Sequence, residues 1–318
     1  MNTKENKYKG LAAILRRDWN RRISLDRRMW MSEAVDSDEQ MLASGERDLL
    51  LLLGEEITDT ANKRVLEIGC GIGRMLIPAA KYFKSVVGVD VSEDALNAAN
   101  LLIKSRGLSG SVETILVDGS DLLEIESNSV DLIYSYGTLG IVPTGIFACL
   151  LHEAGRILRL GRVMRFQLYL GTEQATIDQD TLAVRSYDLK KFTTACALCG
   201  FSIELVEELI HPIGNVSKPH EGIVAHIVSL KKESESTTKP ANVELSLLDS
   251  PENSSIENWK GSALEYQMAI TRAQKLVQCG NLAEAKALFQ YAADNYADAD
   301  KVIHKLLQEI DLAIADKS

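Results

Sequence analysis

The chain has 318 residues, carries a net charge of −10 at pH 7 and is 46% hydrophobic, ordinary for a globular protein with a sizeable core. That acidity excludes a general surface for nucleic acid or for an anionic membrane, both of which need basic patches. Five scattered cysteines, no signal peptide and no 18-residue apolar run set the expectation of a protein in a reducing cytoplasm. In chain order, residues 8–23 read as an amphipathic helix with Leu11, Ile14, Leu15 and Trp19 on one face. Its basic residues form a local arm between Lys4 and Arg28, which reads as a solvated helix face. A second helix is expected over 45–53.

From Val65 the pattern changes to strands alternating with helices. Strand Val65–Gly69 is followed by a helix over 74–83, and strand Val86–Asp90 by a helix over 93–105 with Ser92 as N-cap. Strand Val112–Val117 ends at Asp118-Gly119. Strand Asp131–Tyr136 precedes a helix over 145–159, and strand Val163–Leu170 a helix over 189–198 that stops at Gly200. Strands 201–205 and 223–230 have no helix-length segment between them and are expected to pair antiparallel. This predicts an α/β fold: a seven-stranded, doubly wound, mostly parallel sheet with an antiparallel last strand, plus a small α-helical C-terminal region.

The chemistry concentrates in Glu67-Ile68-Gly69-Cys70-Gly71-Ile72-Gly73 and in Gly88-Val89-Asp90. A strand delivers a glycine turn, a helix follows, and a second strand ends on an acid about 20 residues on, as in a nucleotide-binding βαβ unit. The glycines fall at 69, 71 and 73, and Arg74 stands where a dinucleotide fingerprint has its third glycine. The pattern E-x-G-x-G-x-G resembles motif I of the class I S-adenosylmethionine-dependent methyltransferases. That resemblance implies S-adenosylmethionine as cofactor. Glu67, Gly69, Cys70, Gly71 and Gly73 would line its methionine part, and Asp90 with Val91 its ribose. Asp118 and Gly119 would hold its adenine, with Ser135 at the end of the fourth strand completing the set.

Further residues resemble a bacterial branch of that family acting on glycans or small metabolites: Trp19, Ser44-Gly45-Glu46, Glu153 with Arg156, and Phe166-Gln167. Two departures bear on the acceptor. Ile141 stands where many relatives carry a His, and Leu160-Gly161-Arg162 where they carry Pro-Gly-Gly. An amine acceptor needs only to be neutral and desolvated, whereas a hydroxyl usually wants a base. Tyr134, Tyr136 and His211 are the candidate catalytic residues, with His152 and His220 as weaker ones. Tyr134, Tyr136, Trp19 and Trp30 are expected to wall the acceptor pocket. Cys196-Ala197-Leu198-Cys199 has redox or half-zinc spacing, but no second pair accompanies it. The two read as small apolar residues at a helix end, and no metal site is expected.

Residues 231–261 are polar with weak periodicity and read as a linker. Beyond them, Gly280-Asn281-Leu282, Ala285, Phe289 and Ala292 resemble the second helix of a tetratricopeptide repeat. Ala297 replaces its closing proline, Ala269 its first-helix aromatic, and helix 298–314 is placed to cap the pair. The expected organisation is therefore an arm over 1–60 covering the cofactor site, a methyltransferase domain over 61–230, the linker, and a helical hairpin over 262–318. The leading functional expectation is methyl transfer to a small-molecule or glycan acceptor, with no nucleic-acid or membrane partner. The rivals are a protein methyltransferase recruiting its substrate through residues 262–318 and a non-catalytic cofactor-binding scaffold.

Overall fold

The computed structural model describes residues 3–28, 37–58, 60–171, 181–209, 223–236, 238–248, 263–295 and 301–315. Strands β1 (Arg64–Ile68), β2 (Ser85–Asp90), β3 (Val112–Leu116), β4 (Val130–Ser135) and β5 (Leu158–Gly171) are parallel. With β6 (Ser186–Tyr187), β7 (Phe201–Glu208) and β8 (Ile223–Lys232) they form one sheet in the order β3-β2-β1-β4-β5-β8-β7. Strand β8 inserts antiparallel between β5 and β7, the antiparallel pairing the sequence predicts for the last two strands. The two-residue β6, paired to β5, is an eighth strand too short to show in a hydrophobic pattern.

Both faces of the sheet are buried, so its central strands are apolar throughout. Alternate residues go to opposite sides: Leu66, Ile68, Val87, Val89 and Ile133 enter one core, and Val65, Val86, Leu132 and Tyr134 the other. The first core is closed by α5 (Thr144–Ile157), α6 (Leu189–Leu198) and α7 (Pro240–Leu247), the second by α2 (Asp38–Leu53), α3 (Leu76–Ala79) and α4 (Glu93–Ser105). Ser92 caps α4 by accepting the Ala95 N–H at 3.1 Å. Cys196 and Cys199 are buried at the end of α6, where burial raises both thiols. Helix α1 (Thr3–Leu25) lays Leu11, Ala12 and Leu15 into the first core.

Three expectations need correction. The helix over 74–83 shrinks to α3, which contains Pro78; with no N–H, Pro78 cannot bond back to the Arg74 carbonyl and continue the helix from 74. The flanking residues close tight turns instead, Lys81 to Pro78 and Tyr82 to Ala79. The turn at Leu160-Gly161-Arg162 lies inside β5, where the register with β4 shifts and Gly161 takes φ +74°. The linker over 231–261 begins as the end of β8 and contains α7. Leu247 and Leu248 lie four and five residues beyond Val243, and all three are buried against the first core. Helices α8 (Ala263–Gln278), α9 (Leu282–Asn295) and α10 (Lys301–Ala315) follow, packed through Ala269, Ala285, Phe289 and Ile303. Ala297 lies outside the described residues.

Candidate active site

Ligands of open α/β sheets sit beyond the carboxyl ends of the strands, and here the ends of β1 to β4 converge. The turn after β1 carries Gly69, Gly71 and Gly73 at φ +76°, +53° and +88°, a path that strains any L side chain by about 1–2 kcal/mol per residue. Gly69 and Cys70 donate their N–H groups to the Val89 carbonyl at 2.9 and 3.1 Å, which ties the turn to β2. Gly71 donates to Asp90 Oδ2 at 2.8 Å, and Ser92 to Asp90 Oδ1 at 2.9 Å. Each carboxylate oxygen has further acceptor capacity, so Asp90 can still take a hydroxyl on each. Burial pushes its pKa up, against the N–H bonds from Ser92 and Gly71.

After β3, Asp118 Oδ1 accepts from the Ser120 N–H at 2.6 Å and from its hydroxyl at 2.8 Å. Gly119 has φ +95°, and a Cβ built there would lie 2.7 Å from Val91 Cγ1 and 3.6 Å from the Ala12 Cβ. Only glycine allows that approach. Glu67 in β1 is 4% exposed, and its Oε2 accepts the Tyr134 hydroxyl at 3.1 Å. Burial pushes its carboxyl up to about 8, with the Tyr134 bond and the Arg74 charge opposing and Asp90 reinforcing. A buried acid of this kind gains its charge when a cation is brought beside it. A methionine ammonium, a ribose diol and an adenine therefore each find a chemically suited partner among Glu67, Asp90 and the Asp118-Gly119 turn.

The acceptor side is built differently from the expectation. Tyr134 is fully buried with its hydroxyl on Glu67, because its position in the central β4 points it into the second core. It forms no open pocket wall. Ser135 is also fully buried and donates its hydroxyl to the Ile68 carbonyl at 2.8 Å, tying β4 to β1. Tyr136, at the exit of β4, is half-buried with the Arg74 guanidinium 5.5 Å over its ring. Burial, then the Asp48 charge, raises its phenol. Trp19 is half-buried on α1 beneath the Arg22 guanidinium, 4.9 Å away. Ile141 lies in the turn after β4 and its carbonyl accepts from Arg185 at 2.7 Å. His152 is spent on the Thr238 carbonyl at 3.1 Å. His211, His220 and Trp30 lie outside the described residues.

Two residues important to the site carried no motif. Asp48 of α2 bonds Arg74 at 2.6 Å, both side chains almost wholly buried, and so ties the glycine turn to α2. Asn20 of α1 accepts the Ser92 hydroxyl at 2.7 Å. A lone acid or amide in an amphipathic helix gives no signal until its partner is in space. Among the described residues, no group of three or more His, Cys, Asp and Glu is arranged to hold a metal, and no helix is long and apolar enough to cross a membrane.

Residues 65–161 match the family described as "Methyltransferase domain". Residues 65–161 thus form a methyltransferase domain. The chain is 30% identical over 115 residues to a "Probable S-adenosylmethionine-dependent methyltransferase" of Saccharomyces cerevisiae, an alignment covering 35% of this chain and 37% of the yeast protein. The chain thus spans well under half the length of that relative. A "Ubiquinone biosynthesis O-methyltransferase" of Burkholderia vietnamiensis is 29% identical over 168 residues, covering 48% of this chain and 71% of that one. The fold of the methyltransferase domain is shared with the magnesium protoporphyrin IX methyltransferase of Synechocystis PCC 6803. That match has a TM-score of 0.52 and 14% identity, over 70% of this chain and 100% of the other.

Proposed function

We propose that the protein transfers a methyl group from S-adenosylmethionine to a small-molecule or sugar acceptor. The observation that carries this reading is the row of acids at successive strand ends, Glu67, Asp90 and Asp118, around a turn locked to Asp90. Glu67 and the Gly69–Gly73 turn would hold the methionine part, Asp90 the ribose hydroxyls in a charge-assisted bidentate contact, and Asp118 with Gly119 the adenine. The bound cofactor supplies a methyl group already activated on a sulfonium. The protein's task is then mostly to position the acceptor in line and to keep water out.

Tyr136 and Tyr169, whose phenols burial keeps protonated, and Gln167 stand on the acceptor side. The name of the Burkholderia relative, an O-methyltransferase of ubiquinone biosynthesis, supports a small acceptor. The organisation proposed is an arm over 1–60, the methyltransferase domain over 61–230 and a helical region over 262–318. Free thiols at the buried Cys70, Cys149, Cys196 and Cys199 support a reducing, cytoplasmic setting.

The test has two stages. Calorimetry with S-adenosylmethionine should show one site per chain, and failure to bind would end the methyltransferase reading. Methyl-labelled cofactor and a fractionated host extract should then put label in the small-molecule fraction. Label in the protein or nucleic-acid fraction would overturn the acceptor class, and tight binding without transfer would favour a scaffold.

A further inference from the structure

Helix α1 is fastened at both ends by the C-terminal helices. Near its start, Lys7 Nζ and the Tyr8 hydroxyl reach the two oxygens of the buried Glu244 in α7, at 2.6 and 2.7 Å. At its other end, Arg21 and Arg22 converge on Glu265 of α8. Arg21 Nη2 meets Oε1 at 2.8 Å, and Arg22 sets Nε and Nη2 on Oε2 at 3.1 and 2.8 Å. Tyr291 of α9 donates its hydroxyl to the same carboxylate. Glu265 is fully buried and Arg22 nearly so. Just beyond the helix, Asp26 accepts from Arg272 Nε at 2.6 Å.

Between these fastenings, α1 lies against the proposed adenosine site. Asn20 holds the hydroxyl of Ser92, the residue whose N–H binds Asp90. Ala12 lies beside Val91 and Gly119, and Asp18 accepts the Thr181 hydroxyl at 2.8 Å. Lifting α1 would carry Arg21 and Arg22 off the buried Glu265 and leave its charge without those cations, so the fastening resists partial opening.

We infer that α7, α8 and α9 form a clamp that seats α1 over the adenosine site, and that Glu265 is a positioning residue for the cofactor, acting through α1. The inference rests on the reading of that site as the S-adenosylmethionine site. It assigns the tail a role within its own chain: the cofactor leaves only when α1 lifts, and the clamp sets how often that happens.

The test uses the full chain, with Glu265→Gln and Arg272→Gln as variants. Hydrogen exchange of the α1 amides reports the seating, and stopped-flow displacement of S-adenosylmethionine by excess S-adenosylhomocysteine, followed by tryptophan fluorescence, reports dissociation. Glu265→Gln should raise α1 exchange and speed dissociation about tenfold, the loss of one buried charge-assisted bond. Arg272→Gln should act in the same direction by a smaller factor. The exchanged pair Asp26→Arg with Arg272→Asp should return dissociation toward the wild-type rate. Faster α1 exchange with unchanged dissociation overturns the inference, as does unchanged exchange. Should Glu265→Gln fail to fold, the Arg272 variant and the exchanged pair decide it alone. Failure of the wild type to bind the cofactor is a different result, and it removes the site reading beneath the inference.

Discussion

The backbone N–H of Gly71 donates to Asp90 Oδ2 at 2.8 Å, so the glycine turn after β1 and the acid after β2 are one unit. The carboxylate orients the turn, and the turn orients the carboxylate. Ser92 completes the arrangement from the other side, and through its hydroxyl passes the restraint on to Asn20 of α1. On the proposed reading, a site organised in this way takes a diol without having to reorganise first.

Replacing Asp90 tests that unit. Asp90→Ala removes two accepted N–H bonds and the two proposed ribose contacts, and should weaken S-adenosylmethionine binding by at least about a hundredfold, from charge-assisted bonds of about 1.5–3 kcal/mol each. Asp90→Asn keeps the shape but loses the charge and one acceptor, and should fall between the two. Calorimetric Kd values for the three proteins check the order. An Asp90→Ala protein that folds and binds as wild type would refute the assignment.

At Gly119 the conformation and the space act together. Alanine there must adopt φ +95° and bring its Cβ within 2.7 Å of Val91 Cγ1. Gly119→Ala should lower stability by about 1–3 kcal/mol, the range for a strained backbone residue, and weaken cofactor binding in the same protein. Adding Val91→Ala opens the contact and should recover part of the binding but little of the backbone strain. Thermal melts and cofactor titrations of the single and double variants separate the two contributions.

These two residues also show which parts of the molecule could be read from the chain. Gly69–Gly73, Asp90 and Asp118 are legible as strand-end residues because each stands where an apolar strand pattern gives way to a turn, and the same alternation foretold the sheet and its last antiparallel pair. Asp48, Asn20 and Glu265 are not, since a single acid or amide in a helix takes its meaning from a partner 26 to 243 residues away. Tyr134 failed for the opposite reason. An aromatic at the end of a strand invites a pocket, but in a sheet buried on both faces alternate residues are committed to the core, and Glu67 already held its hydroxyl. Helix α7 was hidden by the polar, weakly periodic stretch around it.

Glu153 fastens the Leu122–Ile125 segment that follows Asp118. Its Oε2 accepts the Leu122 N–H at 3.1 Å and Arg156 at 2.7 Å, while Arg156 also donates to the Leu122 and Ile125 carbonyls, both at 2.9 Å. Burial alone would raise its pKa, but the bonds to His152 and Arg156 win and hold it down at about 2. With the folded value depressed, its contribution is present above the ordinary glutamate range and is lost as pH falls toward 2. Glu153→Ala should cost about 3 kcal/mol at pH 7. The gap between wild type and variant, read from denaturant midpoints, should narrow steadily below pH 4.5.

Glu67 runs the other way. Its carboxyl sits at about 8 in the folded protein against an ordinary 4.5, so the stability it contributes is complete below 4.5 and is lost as pH rises through 8. Glu67→Gln cannot ionise, and its melting temperature should gain on that of the wild type between pH 6 and pH 9. Binding of a cation beside Glu67 reverses the preference, because the ionised form is then the favoured one. S-adenosylmethionine binding below pH 8 should therefore release a proton, and Kd should tighten by up to about tenfold per pH unit between 6 and 8. Titrations in two buffers of different ionisation enthalpy count the proton directly. The wild type should release close to one at pH 6.5 and Glu67→Gln none. Equal proton counts in the two proteins would mean that Glu67 does not meet the cationic end of the cofactor.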